Sequence, residues 1–300
     1  MDASATATPA ADSDIDPNQD EAMSAFASEP GSPGKPSDPE RGLGRLADAA
    51  PDTMSLHTRE AYRLFLGQKA DPERGLVAIV GARRFAAVLK SLWHLSANDN
   101  PYADWILIQT YAVLSALRNQ LANLSRAREE AIEALRRKGL SLSVMASRTP
   151  MAVELGFRSP YGYATAEVIV EFDHYVRLIK TLIHKDRLSD DEGRAAIRTI
   201  GRPLRALFLT PIRWERALLS EALRPLTRSD FLPGAQEPAR KRVRAAVALF
   251  GEVPRAVFTG AEAPRHSRRR VRLTDAELKL LEQASLGADG NAAPNEGALL

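Results

Sequence analysis

The sequence predicts a mainly α-helical chain with a small β element. Three observations carry this: long stretches in which apolar residues recur every three or four positions, start and stop signals at the ends of those stretches, and one short region of strict alternation.

Taken in order, residues 1–52 read as a disordered acidic tail. They hold eleven acids and three bases, and beyond the initiator their sizeable apolar groups are Ile15, Met23, Phe26, Leu43 and Leu46. So little apolar surface does not offset the entropy of ordering the segment. From Arg83 a helical period begins, with Phe85, Val88, Leu89, Leu92 and Trp93 on one stripe. Asn98-Asp99-Asn100-Pro101 stops it, because proline biases the residue before it away from the α region, and Pro101 can then open the next helix. That helix, Ala103 to Lys138, carries Leu107, Tyr111, Leu114, Leu117, Leu121, Leu124 and Leu135 and would be about 54 Å long. Its near-heptad spacing suggests a partner helix, including one across a dimer. Gly139 is a natural stop.

Between Leu140 and Arg158 the period becomes two. Leu140, Leu142, Val144 and Ala146 alternate with Ser141, Ser143 and Met145, and after Pro150 Met151, Val153, Leu155 and Phe157 alternate with Ala152, Glu154 and Gly156, which reads as two short strands that a hairpin could join. Ser159-Pro160 then opens a helix over about 160–185. Ser189-Asp190-Asp191-Glu192 is a capping box opening another over about 190–209, which Gly201 and Pro203 are expected to bend or split. Residues 236–250 look helical and basic, and Thr274-Asp275-Ala276-Glu277 caps a short last helix. The layout is an acidic tail (1–52), a mainly helical domain (53–260), a basic segment with a short helix (261–285) and a second disordered tail (286–300).

Little in this chain points to catalysis. Cysteine is absent, which excludes disulfides, thiolate nucleophiles and iron–sulfur clusters. No phosphate-cradling glycine motif and no G-x-S-x-G occurs. Glu171-Phe172-Asp173-His174 is a single E-x-x-H, where a carboxylate-bridged metal pair needs two such motifs and further Glu residues; a solvated or capping polar face explains it better. Asp99 and Asp104 could form a dyad, but helix capping calls for the same residues. No enzyme activity and no cofactor are expected. Wholly apolar runs such as Leu76–Val80 are too short to cross a bilayer, and a cytoplasmic protein without a membrane partner is expected.

Charge is the surplus feature. The formal net charge is +3, yet residues 53–285 hold 38 bases and 25 acids. From Arg240 to Arg272 ten Lys/Arg face two acids, with Arg240, Lys241, Arg242 and the run Arg268, Arg269, Arg270 and Arg272 densest. Such density displaces counterions from a phosphate backbone, although a solvated basic surface has the same composition.

Three segments resemble a known family. They are Leu56-His57-Thr58-Arg59-Glu60-Ala61 with Leu64-Phe65; Arg83-Arg84-Phe85-Ala86 followed by Asp99-Asn100-Pro101-Tyr102-Ala103-Asp104-Trp105; and Phe157-Arg158-Ser159-Pro160-Tyr161-Gly162-Tyr163 leading to Phe172-Asp173-His174-Tyr175-Val176-Arg177. In this order, over roughly residues 54–260, the chain resembles the integrating conjugative element proteins grouped with the AcaB-type regulators of conjugative transfer. The resemblance implies a DNA-binding transcriptional regulator of a mobile element, of ribbon-helix-helix type. In that motif a strand pairs with the same strand of a second subunit and enters the major groove. Strand 151–158 and the two helices after it have the required order, with Arg148 and Arg158 as flanking phosphate contacts. The strand's outward face, Ala152, Glu154, Gly156 and Arg158, is poor in base-reading side chains. The expected partners are DNA of a promoter or transfer-origin region, a second copy of the chain, and other conjugation proteins. A rival expectation is an interaction component of the transfer machinery that does not bind DNA, with the Leu107–Leu135 stripe as its working surface.

Overall fold

The computed structural model describes residues 46–75, 77–267, 269 and 274–283. The chain divides into two units, 1–49 and 50–300. Of the first, only residues 46–49 are described, and they are exposed. The tails 1–45 and 284–300 lie outside the described residues, as do Arg268, Arg270 and Arg272.

In the second unit the described residues form eight α-helices and two small two-stranded sheets. Four long helices make the body: α2 (Ala82–Ala97), α3 (Pro101–Arg137), α4 (Pro160–His184) and α5 (Asp190–Leu218), each packed against the others. α2 lies deepest, with Phe85, Val88, Leu89 and Leu92 essentially inaccessible, and Phe85 meets Phe208 of α5 at 4.7 Å between ring centroids. The first half of the α3 stripe predicted for a partner helix packs inside the chain, since Leu107, Leu114, Leu117 and Leu121 are buried in this core, while Tyr111, Leu124 and Leu135 are half-buried. A short helix, α1 (Arg59–Leu66), rests on α2 and α4. Helix α6 (Glu237–Phe250), with α7 (Arg255–Thr259) and α8 (Asp275–Gln283), completes the order. Trp214 of α5 stacks on Phe250 of α6 at 4.3 Å and meets Trp105 of α3 edge-on at 5.3 Å, an aromatic joint among three helices.

The start signals act as their chemistry dictates. Asn100 accepts from the backbone N–H groups of Tyr102 and Ala103, Ser159 from Gly162, and Ser189 and Thr274 form full capping boxes with Glu192 and Glu277. Ser189→Ala should therefore cost about 1 kcal/mol in a urea melt. At the far end of α3, Gly139 at φ +94° lets its own N–H and that of Leu140 return to Arg136 and Leu135. Asp99 does the same work after α2 at φ +62°, a left-handed conformation uncommon for a residue with a side chain.

Some expectations are corrected. Helix α5 runs unbroken through Gly201, Pro203 and Pro211 to Leu218, nine residues past its expected end. Tertiary packing outweighs the missing N–H groups, with Leu204, Leu207, Phe208 and Pro211 all buried. Residues 140–146 form no strand. At Met145 side chains of α4 take the place of a ladder: the Met145 N–H donates to Thr181 Oγ1 at 2.9 Å, and Arg177 Nε donates to the Met145 carbonyl at 2.9 Å. The strand expected over 151–158 is shorter, β4 (Met151–Glu154), and the chain is irregular from Leu155 to Arg158. Its partner is β1 (Thr53–Leu56) of the same chain, antiparallel, with Thr53 opposite Glu154 and Leu56 opposite Met151. Beyond these, β2 (Gly67–Gln68) and β3 (Ile79–Val80) form a minimal second pair. At their junction Gly67 and Gly81 approach so closely that a Cβ on Gly81 would sit 2.3 Å from the Gly67 nitrogen.

Candidate nucleic-acid interface

The β1–β4 ribbon is built on two supports. On one face Met54 and Leu56 are buried in the core, while Thr53, Ser55, Ala152 and Glu154 share the opposite, solvent face. The second support is Asp173 of α4, a buried carboxylate. Its Oδ1 accepts from the His57 N–H at 3.0 Å and from the Thr58 N–H and hydroxyl at 2.8 Å each. Thr58 in turn caps α1 through the Ala61 N–H. One buried acceptor thereby fixes the end of the strand and the start of the helix. His57 adds a third tie, its Nδ1 accepting the Ser147 N–H at 3.2 Å. Arg148, exposed, follows directly and precedes β4, and Arg158, also exposed, lies beyond its other end.

Between β4, α1 and α2 runs a groove of about 560 Å³. Tyr62, Phe65, Val153 and Phe157 give it an apolar wall, and Arg83, Lys90 and Arg158 bring three cations against Glu154. None of these three cations makes an ion pair among the described residues. Two-stranded antiparallel ribbons of this width fit the major groove of B-form DNA. Thr53 and Ser55 add hydroxyls that sequence reasoning missed on the outward face. Their signal was present, as Thr-Met-Ser-Leu alternates, but four residues beside a polar tail are too few to register.

The other basic residues singled out from sequence are placed differently. Arg240 and Lys241 are exposed on α6, with Arg240 Nε donating to the Ala235 carbonyl. Arg242 is held by both oxygens of Asp230 at 2.8 and 3.1 Å. Arg269 is turned inward. Its Nε lies 3.2 Å from Asp99 Oδ1 and its Nη2 2.8 Å from Asp104 Oδ2. These two acids also hold Arg228, which is wholly buried in the 3-10 turn Arg228–Phe231. Arg228 uses all its donors: Nε to the Phe258 carbonyl at 2.6 Å, Nη1 to the Asp99 carboxylate at 2.8 Å and, at 3.4 Å, to its carbonyl, Nη2 to Asp104 at 2.7 Å and to the Val257 carbonyl at 2.8 Å. Ser96 closes the set by donating to Asp104 Oδ1. Burial raises the Asp99 carboxyl above its ordinary range, and Arg228 and Arg269 pull it back down. The two Asp and two Arg are thus a neutral, structural cluster that joins the α2–α3 junction to α7 and the segment before residue 270.

His174 of the E-x-x-H pairs with Glu129 of α3 at 2.8 Å. Among the described residues no group of three metal-ligating side chains converges, and no helix is long and apolar enough to cross a membrane.

Comparison with known proteins gives these geometries a context. No match was found among curated proteins. Among solved structures, the crystal structure of selenomethionine-containing AcaB from uropathogenic E. coli is similar at 14% identity and a TM-score of 0.42, covering 79% of this chain and 98% of that one. The family model described as transcriptional regulator AcaB matches residues 42–270, most of the chain. By that match, which takes in the ribbon, the four-helix body and the buried ion cluster, the chain belongs to the AcaB family of transcriptional regulators.

Proposed function

We propose that this protein is a DNA-binding transcriptional regulator serving conjugative transfer of an integrating mobile element, acting in the cytoplasm as a homodimer. The observation that carries DNA binding is the ribbon: an outward face of Thr53, Ser55, Ala152 and Glu154, with Arg83, Lys90 and Arg158 beside it and Arg148 at its end. Family membership supports the regulatory role, and the three sequence motifs support the link to transfer. The ribbon is complete within one chain, so each subunit would bring its own reader and a dimer would present two.

In this arrangement Thr53 and Ser55 meet base edges, Glu154 accepts from a cytosine amino group, and the arginines hold phosphates. Fluorescence anisotropy with duplexes from the element's own promoters and transfer origin, beside a shuffled duplex, tests it. The expected result is tighter binding to one native segment, with Ser55→Ala and Glu154→Ala each lowering the preference by roughly 5- to 100-fold, equivalent to about 1–3 kcal/mol per base contact. Equal affinity for every duplex in both variants and wild type sinks the ribbon as the reader. The interaction-component reading keeps only part of its surface, because Leu107, Leu114, Leu117 and Leu121 of the Leu107–Leu135 stripe are buried within the chain.

A further inference from the structure

Among the described residues, an alignment of exposed cations lies on α5, away from the ribbon. Arg198, Arg202, Arg205, Arg213 and Arg216 are all exposed. At 100° per residue they fall within about 80° of arc, and at 1.5 Å per residue they extend over about 27 Å. None forms an ion pair or hydrogen bond among the described residues, whereas Arg194, at the start of the same face, is neutralised by Asp191 at 2.8 Å. Arg63 of α1 joins them, lining with Arg198 and Arg205 a hollow of about 620 Å³. The acid beside it, Glu60, is occupied by Lys180 at 2.7 Å. The spacings within the row place like charges three and four residues apart, where they repel across a turn. A helix needing only solubility would intersperse acids here.

Helix α1 separates this row from the ribbon. Tyr62, Phe65 and Leu66 face the groove beside β4, and Arg63, Leu64 and Gly67 face the hollow beside α5. We infer that the arginine face of α5 is a second contact, a phosphate track for duplex DNA, which positions the protein without reading bases. The inference rests on the DNA-binding reading above and adds the surface that supplies most of its affinity. Over 27 Å a duplex presents about sixteen phosphate charges, so each of the five guanidinium groups has a partner within reach.

The test is a salt titration of binding to a shuffled duplex. The variant carries Arg198→Gln, Arg202→Gln, Arg205→Gln, Arg213→Gln and Arg216→Gln, since glutamine keeps helix propensity. A charge-matched control carries Lys69→Gln, Arg126→Gln, Arg137→Gln, Lys138→Gln and Arg224→Gln, all exposed positions elsewhere. The slope of log affinity against log salt should be shallower by about 4.5 in the α5 variant and by less than about 1 in the control. Between 50 and 200 mM salt the wild type should therefore lose roughly 500-fold more affinity than the variant. Two partial variants, residues 198–205 and residues 213–216, should divide the change as about 2.7 and 1.8, and they carry the test if the fivefold variant does not fold. An unchanged slope, or an equal change in the control, overturns the track while leaving the ribbon standing. Absence of wild-type binding to any duplex at 50 mM salt overturns both readings, and preferential sedimentation with phosphatidylserine vesicles overturns the choice of DNA.

Discussion

Replacing Arg228 with Met should destabilise the protein by about 3–5 kcal/mol, the largest effect expected of any single substitution in it. The side chain is inaccessible to solvent and its partners are Asp99, buried, and Asp104, fully buried. Without it, four net negative and positive charges become two carboxylates facing only Arg269, and one unit of negative charge is left without water or partner. Two backbone carbonyls, of Val257 and Phe258, lose their donors as well. Thermal unfolding followed by circular dichroism should show a melting temperature lower by on the order of 10 °C. The double variant Arg228→Met with Asp104→Leu restores neutrality, leaving Asp99 with Arg269, and should recover more than half of the loss. A single variant within 1 kcal/mol of wild type shows that the cluster is hydrated and does not hold α7 in place.

Asp173→Ala comes second, at about 2–4 kcal/mol. One carboxylate oxygen serves three donors of residues 57 and 58, and charged acceptors contribute more per bond than neutral ones. The loss is local in its consequence, because these bonds are what hold β1 and the first turn of α1 to α4. Amide exchange of His57, Thr58 and the β1 residues should accelerate well beyond that of α2 in the same variant. If the ribbon is the reader, the same change should lower preference for the native duplex while affinity for a shuffled one persists. Exchange rising equally in α2 and β1 shows instead that Asp173 supports the whole core.

Helices α2 to α5 and α8 were legible because each begins or ends on a residue with local chemistry of its own: Asn100-Pro101, Gly139, Ser159-Pro160, Ser189 with Glu192, Thr274 with Glu277. The strand pairing was not, because β1 and β4 lie about a hundred residues apart and alternation over four positions has little weight. Alternation also misled at 140–146, where no strand forms and the Thr181 hydroxyl and Arg177 guanidinium of α4 bond the backbone of Met145. Among the basic residues, linear density was a poor guide. Arg242 and Arg269 of the dense C-terminal cluster are bound to Asp230, Asp99 and Asp104, whereas the row on α5 is diluted in the sequence and gathers only at a helical period. Arg228 carried no local sign, since its partners lie 124 and 129 residues away.

That separation bears on how the chain matures at the ribosome. Asp104 is synthesised 124 residues ahead of Arg228, which at ordinary elongation rates is a delay of roughly 6–25 s. During it the two carboxylates lack Arg228, while the turn between α2 and α3 already has its own local bonds around Asp99 and Asn100. A product truncated before residue 228 therefore leaves Asp99 and Asp104 without either of the guanidinium groups that neutralise them.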